Sequence, residues 1–506
     1  MKLKKRTKII LTVLLFTTLT MGFLADRNLI QIYGGLTEIV NDAQFNPTSG
    51  SLLVTDINIL SPDGESFIPD QTVYIENDLI VAINEPPSNS EHFSSIDGQG
   101  KYLIPGLTDA HTHLFKSPND LLLYVANGVT QIRELIGEPD HLLWRDEIRR
   151  GRIGPNMFIA SPRIGSFGPI EGILMEWSQG YVNLTDAKQV EETVRDFHQQ
   201  GYDAVKIYSQ ISPEAYQSVT QTAHELGMKV VGHVPWALQL SDIYKSHDSI
   251  GHLEELMNAL NREFGDYSAE TSEEFLAYVN QRSPEVAEQL FKNEIAVSTT
   301  LWLIESMVRQ KLDIHQVLTE VELEYENPGI SEWSKFTPMG LGWLPEVNRY
   351  KWPDGWNEEK RAQSETYWTT YATACQIIFK HLIERQVKII AGTDTNLPPV
   401  VAGFSLHDEL ISLTKAGMSA SQALKSVTSE PANWLNNNAG QIAVGKNANL
   451  VLLDKNPLAE ISNTKTINAV ILQGRLLDRT MLDNMLSAVK EANDLSRTED
   501  ISRYAH

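Results

Sequence analysis

The stretch Pro105–Phe115, PGLTDAHTHLF, sets His111 and His113 one residue apart behind a Pro-Gly turn. On a strand, residues i and i+2 face the same side, so both imidazoles point into one space while Thr112 points away. Two such histidines are either metal ligands or polar residues that happen to alternate, and the rest of the chain decides between them.

Working outward, LTDAHTHL (107–114) is the first of eight short apolar runs. The others are VTQIREL (129–135), MFIASPRI (157–164), YDAVKIY (202–208), KVVGHV (229–234), DSIGHL (248–253), EIAVSTTL (294–301) and VKIIAGTDT (387–395). Helical stretches such as Asp186 to Gln199 and Pro213 to Leu226 separate them. Eight strands alternating with helices predict an α/β protein of the (β/α)8 TIM-barrel type. The interval before the eighth run is long and aromatic-rich, and it predicts a helical insertion over about 303–385 at the barrel mouth, as a lid or substrate wall. β-like runs also occur at both chain ends, SLLVTDINIL and QTVYIENDLIVAI early, NANLVLLD and TINAVILQGRLLD late. They predict a small β-sandwich domain assembled from both ends of the chain. The expected division is a leader at 1–28, a linker at 29–50, the small β-domain at 51–104 and 439–480, the barrel at 105–438, and a C-terminal helix and tail at 481–506.

Six polar residues intrude at or near the C-terminal ends of these runs: His111, His113, Lys206, His233, His252 and Asp394. A parallel barrel builds its active site at those ends. From Lys206 to His233 is 27 residues and from His233 to His252 is 19, one repeat each, while the 93 residues from His113 to Lys206 accommodate three. Imidazole nitrogens with a carboxylate suit a divalent transition metal, zinc above all, although manganese, iron, cobalt and nickel share the preference. Four histidines and one aspartate exceed what one catalytic metal takes while keeping a position open, so two metals are the better count. A bridge is then required, and Lys206 is the remaining candidate. Burial lowers a lysine's pKa, and the free amine can add carbon dioxide to become an anionic carbamate with two oxygens. Tyr208 shares the Lys206 face of its strand. Taken singly, each residue also has a plainer reading: a core histidine, a surface lysine, or an aspartate capping a turn. Their joint order and spacing favour the site. His407, at the start of the helix after the Asp394 run, is a candidate substrate-facing residue.

The formal charge of −23 excludes a nucleic-acid partner, since phosphate binding needs clustered Lys and Arg. The cations that do cluster, Lys2, Lys4, Lys5, Arg6 and Lys8, precede an apolar run from Ile9 to Leu24. This reads as a signal peptide or an uncleaved anchor, which would leave the rest of the chain extracytoplasmic, either secreted or tethered to the membrane through residues 9–24. As a helix the run reaches about 24 Å against a hydrocarbon core of about 30 Å, so its length does not decide between the two. With Cys375 the sole cysteine, the exported fold contains no internal disulfide.

These motifs together resemble the metal-dependent amidohydrolase superfamily, and most closely its imidazolonepropionase-like and Xaa-Pro dipeptidase-type subgroup. LIPGLTDAHTHL, YDAVKIY, VVGHVP, SIGHL and IIAGTDT resemble its strand 1, 4, 5, 6 and 8 signatures. GQIAVGKNANLVLLDKNPL resembles the return into its small domain, with Asn449 where an aspartate is usual. The resemblance implies that His111, His113 and Asp394 bind one metal, that His233 and His252 bind a second, and that carboxylated Lys206 bridges them. It further implies a metal-bridging hydroxide as nucleophile, Asp394 as general acid and base, and hydrolysis of C–N bonds in small substrates such as dipeptides or N-acyl amino acids. Tyr208 would bind a substrate carboxylate or the oxyanion.

Lactone hydrolysis and deamination use the same barrel. Deaminases of the superfamily usually carry a glutamate shortly after the strand-5 histidine, and GHVPWALQL has none. A membrane-tethered binding protein that uses the aromatic insertion is the non-catalytic alternative, and it predicts lost ligands. The sequence leaves substrate and oligomeric state open.

Overall fold

A computed structural model describes residues 2–88, 90–332 and 341–504. Seven strands pair in parallel and in chain order: β1 (Leu107–Thr112), β2 (Val129–Glu134), β3 (Asn156–Gly165), β4 (Ala204–Ile207), β5 (Lys229–Gly232), β6 (Ser249–Ile250) and β7 (Ala296–Val297). Their apolar residues are almost all buried, as expected of a parallel sheet covered by helices. The connecting helices carry ordinary stop and start signals. Asp186 caps Ala187–Gln200 by accepting from Lys188 N and Gln189 N, and Gly201 ends that helix in the left-handed conformation. Ser212 caps Pro213–Glu225, with proline in the first turn.

The eighth apolar run forms only an isolated bridge with β7, yet it closes the curl of the sheet. Ile390 N donates to Val297 O on β7 at 3.0 Å, and on the other side Ala110 N of β1 donates to Ala391 O at 3.0 Å. Gly392 permits this approach, because a Cβ at that position would lie 2.4 Å from His111 N. The buried Asp109 carboxylate stitches the same seam, accepting from Thr393 N at 3.1 Å and Thr393 Oγ1 at 2.6 Å. The fold is therefore α/β around a curled parallel sheet whose two edges meet at residues 388–394.

Strands from both chain ends form one further sheet. Ile467–Leu472 lies between Arg475–Asp478 and Leu450–Leu453, and Leu450–Leu453 pairs antiparallel with Tyr102–Pro105. Tyr102–Pro105 in turn lies parallel to Leu52–Leu60, which is flanked by Phe67–Glu76. The strand pairing thus defines a single mixed sheet, where the sequence suggested a sandwich. Pro105 ends a strand of this sheet and Leu107 begins β1, so the Pro-Gly pair is the hand-off between the two sheets.

The insertion comprises helices Leu301–Leu318 and Glu358–Glu384 and the segment between them, of which residues 333–340 lie outside the described ones. Trp343, Leu344 and Tyr350 are buried, and Asn348 Nδ2 donates to Gln310 Oε1 at 2.8 Å, so this segment is part of the packed body.

At the other end of the chain, α1 (Lys2–Ile32) is a single long helix. Among the described residues no helix is long and apolar enough to cross a membrane. The run read as a tether, residues 9–24, lies partly outside the described side chains, which exclude 9–11, 13 and 14. Beyond it, Ile32 and Tyr33 are buried against Phe115, Ile136 and Ile330, so the first residues read as linker are built into the body.

Candidate metal centre

All six polar intruders are buried, at the C-terminal ends of β1, β4, β5 and β6 and in the closing segment. His111 Nε2, His113 Nε2 and Asp394 Oδ1 lie 2.8–3.4 Å from one another. Donor atoms around a tetrahedral ion with bonds of about 2.1 Å stand about 3.4 Å apart, so this trio has the spacing of a ligand set. His111 Nδ1 donates to Gly251 O at 2.5 Å, which leaves Nε2 with its lone pair facing the trio. Asp394 adopts φ +62°, a left-handed backbone that aspartate tolerates better than most residues. Asp394 N donates to His111 O at 2.9 Å, which holds it in place.

A second group joins His233, His252 and Glu255. His233 Nδ1 lies 3.2 Å from Glu255 Oε1 and 2.7 Å from Ser209 Oγ. Glu255 Oε2 accepts from Val234 N at 2.9 Å, tying the start of α2 (Leu253–Phe264) to the end of β5. Gly232 just before His233 has φ +125°, and a Cβ there would meet Ile207 O at 2.2 Å.

Lys206 stands with both groups. Its side chain is fully buried and its Nζ has no hydrogen-bond partner. Burial, with Arg133 and Arg163 adding like charge, brings its pKa down to about 8 even though Asp394 and Glu255 oppose the shift. Burial also holds His111 and His233 well below the ordinary histidine value and takes His252 to about 4, so these rings are neutral and able to donate lone pairs. His113 is also buried, but the Asp394 and Glu134 carboxylates raise it. Burial opposes ionisation of Asp394, yet His111, His113 and His252 together hold its carboxyl well below the usual range. An unpartnered buried amine and the lone Nδ1 of His252, beside two convergent donor groups, are what a site built around cations contains. The residues present therefore fit two divalent metals.

Tyr208 stacks on the His233 ring at 3.9 Å and lies edge-on to Tyr181 at 5.3 Å, at the rim of the second group. Glu255 is the residue that the sequence reading missed. Two glutamates in the first turn of a helix look like ordinary complements to its dipole. The signal available was the i+3 spacing from His252, which brings Glu255 back over the histidine.

His407 is not where the sequence placed it. It is buried, its Nδ1 is 2.9 Å from Thr464 Oγ1 and its Nε2 is 3.2 Å from Asn127 O, so both ring nitrogens are occupied by structural partners. Burial, helped by Lys465, lowers its pKa to about 3. The unfolded chain takes up this proton near pH 6.5 and the folded chain does not, so stability is complete above that pH and falls as the pH drops toward the folded value. Denaturant titrations at pH 7 and pH 4 should show His407→Gln losing about 3 kcal/mol less between the two pH values than the wild-type chain does. Equal losses would show that His407 does not carry the effect.

Residues 364–477 match the sequence model of the amidohydrolase family. The 5-methylthioadenosine/S-adenosylhomocysteine deaminase of Caldanaerobacter subterraneus is 36% identical over 64 residues, 13% of this chain and 15% of that enzyme. The chain thus matches only about 15% of the length of this curated relative. Solved structures match over nearly the whole fold. A Xaa-Pro dipeptidase with bound methionine superposes with a TM-score of 0.60 at 20% identity, over 85% of this chain and 100% of that one. A bottromycin amidohydrolase does so with 0.62 at 19%, over 88% and 90%. The resemblance to the amidohydrolase superfamily therefore holds both in the family match and in the fold. Within it, Xaa-Pro dipeptidase-type proteins are among the structures that share the architecture.

Proposed function

We propose that this protein is an exported metal-dependent amidohydrolase that cleaves amide or peptide C–N bonds of small substrates. The observation that carries the reading is the pair of buried donor groups, His111, His113 and Asp394 on one side and His233, His252 and Glu255 on the other, with the unpartnered Lys206 amine beside them. His111, His113 and Asp394 would hold one divalent ion, His233 and His252 the other, most simply zinc, with Lys206 as its carbamate between them. Bound there, the two ions would lower the pKa of a water and polarise the scissile carbonyl. Asp394 receives a proton from the attacking water and returns it to the departing nitrogen. Tyr208 orients the substrate against His233, and Gly251 O fixes the tautomer of His111. The domain bounds, a barrel at 105–438 and a small β-domain at 51–104 with 439–480, belong to the same reading. So does export, supported by the five cations before residue 9 and checked by cell fractionation.

A second reading is deamination. Glu255 reaches His233 from the first turn of the helix after the neighbouring strand, so a carboxylate stands beside the strand-5 histidine although the local sequence has none. The curated relative's name describes a deaminase. Lys206 separates the two, because a second cation and its bridge belong to the hydrolase reading.

The test is metal analysis of chelator-free protein together with a substrate panel. The expected result is about two metals per chain and turnover of dipeptides or N-acyl amino acids. One metal per chain with release of ammonia from aminopurines would establish the deaminase instead, and neither metal nor turnover would sink both.

A further inference from the structure

We infer that Arg163 is the anchor for a carboxylate on the substrate, in a subsite that the N-terminal helix completes; this rests on the amide-hydrolase reading. Arg163 lies on β3 beside Lys206 of β4 in the sheet register, so it is one strand away from the candidate bridge. It is only 4% exposed, and its Nε has no hydrogen-bond partner. No carboxylate among the described residues lies within ion-pair distance of it, and the Glu138 charge it feels at longer range is already held by Lys116 at 2.8 Å. Its surroundings are phenolic. The guanidinium lies 5.6 Å from the ring centres of both Tyr181 and Tyr208, and its charge is felt by the hydroxyls of Tyr33 and Tyr181.

A buried guanidinium compensated only by neutral hydroxyls and ring faces is a cation without its anion. Its fork is shaped for two carboxylate oxygens. Its position says which anion would meet it. The Tyr208 ring neighbours both the guanidinium, at 5.6 Å, and the His233 imidazole, at 3.9 Å, so a carboxylate on Arg163 belongs to a molecule whose reacting bond is a few atoms away.

Next to this charge lies a cavity of about 310 Å³, with Arg163, Phe115 and Trp177 on the body side. The end of α1 supplies another part of its wall, with Asp26, Leu29, Ile30 and Tyr33, and Lys116, Glu138 and Glu176 line it as well. Tyr33 is fixed there: its hydroxyl donates to Ser178 O at 3.1 Å, its carbonyl accepts from Lys116 N at 2.9 Å, and its ring lies 5.1 Å from that of Phe115. The half of the substrate that bears the carboxylate therefore places an apolar side chain against residues that precede the small β-domain in the chain.

The test uses the metal-loaded full chain with the N-acetyl derivatives of leucine, methionine and phenylalanine and the same compounds as C-terminal carboxamides. The wild-type protein should prefer the acids. Arg163→Met should lower the acid-to-amide ratio of kcat/KM by about 100-fold, through KM of the acids. Arg163→Lys, which keeps the charge and tests for a merely misfolded variant, should lose about tenfold. Tyr33→Phe should lower the ratio by a smaller factor. Calorimetric titration with the N-acetyl-D-amino acids and their amides reads the same preference without turnover. If no compound is hydrolysed, the hydrolase reading fails while the titration still decides the subsite. An acid-to-amide ratio that Arg163→Met leaves unchanged in both turnover and titration overturns the proposal.

Discussion

Replacing Lys206 by alanine is expected to reduce turnover by at least three orders of magnitude and to bring the metal content from about two per chain to one or fewer. The size of the effect follows from what the side chain does in the interior. A bare ammonium there would carry a desolvation cost that Asp394 and Glu255 offset only in part, which is why its pKa is brought down to about 8. As a neutral amine it still leaves its nitrogen without a partner. As the proposed carbamate it would be an anion beside the two donor groups, which would resolve the desolvation problem and supply the bridge together. Alanine leaves a space and no bridge, so added acetate or propionate should restore part of the activity and part of the second metal. Full activity in Lys206→Ala, with two metals retained, would exclude the bridging role.

The second large effect is expected at Asp394. Asparagine has the same shape and also tolerates the left-handed backbone at φ +62°, so Asp394→Asn should keep the closing segment in place. What it removes is the negative charge beside His111 and His113 and, on the proposed function, the proton carrier. A positioned acid or base contributes about 10²- to 10⁴-fold, and loss of a ligand adds to that, so kcat should fall by about 10³-fold or more with a circular dichroism spectrum like the wild type. A fall of less than tenfold would assign proton transfer to another group, Glu255 being the carboxylate in place for it.

The donor set was legible because each of its members is a polar residue where the strand pattern calls for an apolar one, at intervals that repeat with the barrel. Strand and helix runs were legible for the same reason. Residues whose role depends on contacts between distant elements were not. Glu255 has the sequence signature of a helix start, and only the approach of α2 to β5 makes it a neighbour of His233. His407 stands one turn into the helix after the Asp394 run, which suggested that it faces the substrate, but Thr464 and Asn127 claim it. Tyr33 fell in a segment of mixed composition that read as linker, since no local pattern shows that a helix end will be packed under Phe115. The eighth run has the composition of a strand, yet the chain leaves strand geometry there so that Asp394 can turn toward the histidines.

The seam at residues 388–394 has a consequence for how the protein comes into being. Asp109 and Thr393, which the seam joins, are 284 residues apart in the chain. On a ribosome every histidine of the donor set is made long before Asp394, and until that late segment arrives the sheet is an open curl with two unpaired edges. A partly synthesised chain can collect imidazoles but cannot complete the carboxylate-containing trio. Contacts this distant in sequence also close slowly. The last step of wrapping the sheet and the first moment at which the site is whole are thus the same event, which leaves no stage at which a half-wrapped intermediate could carry a finished catalytic centre.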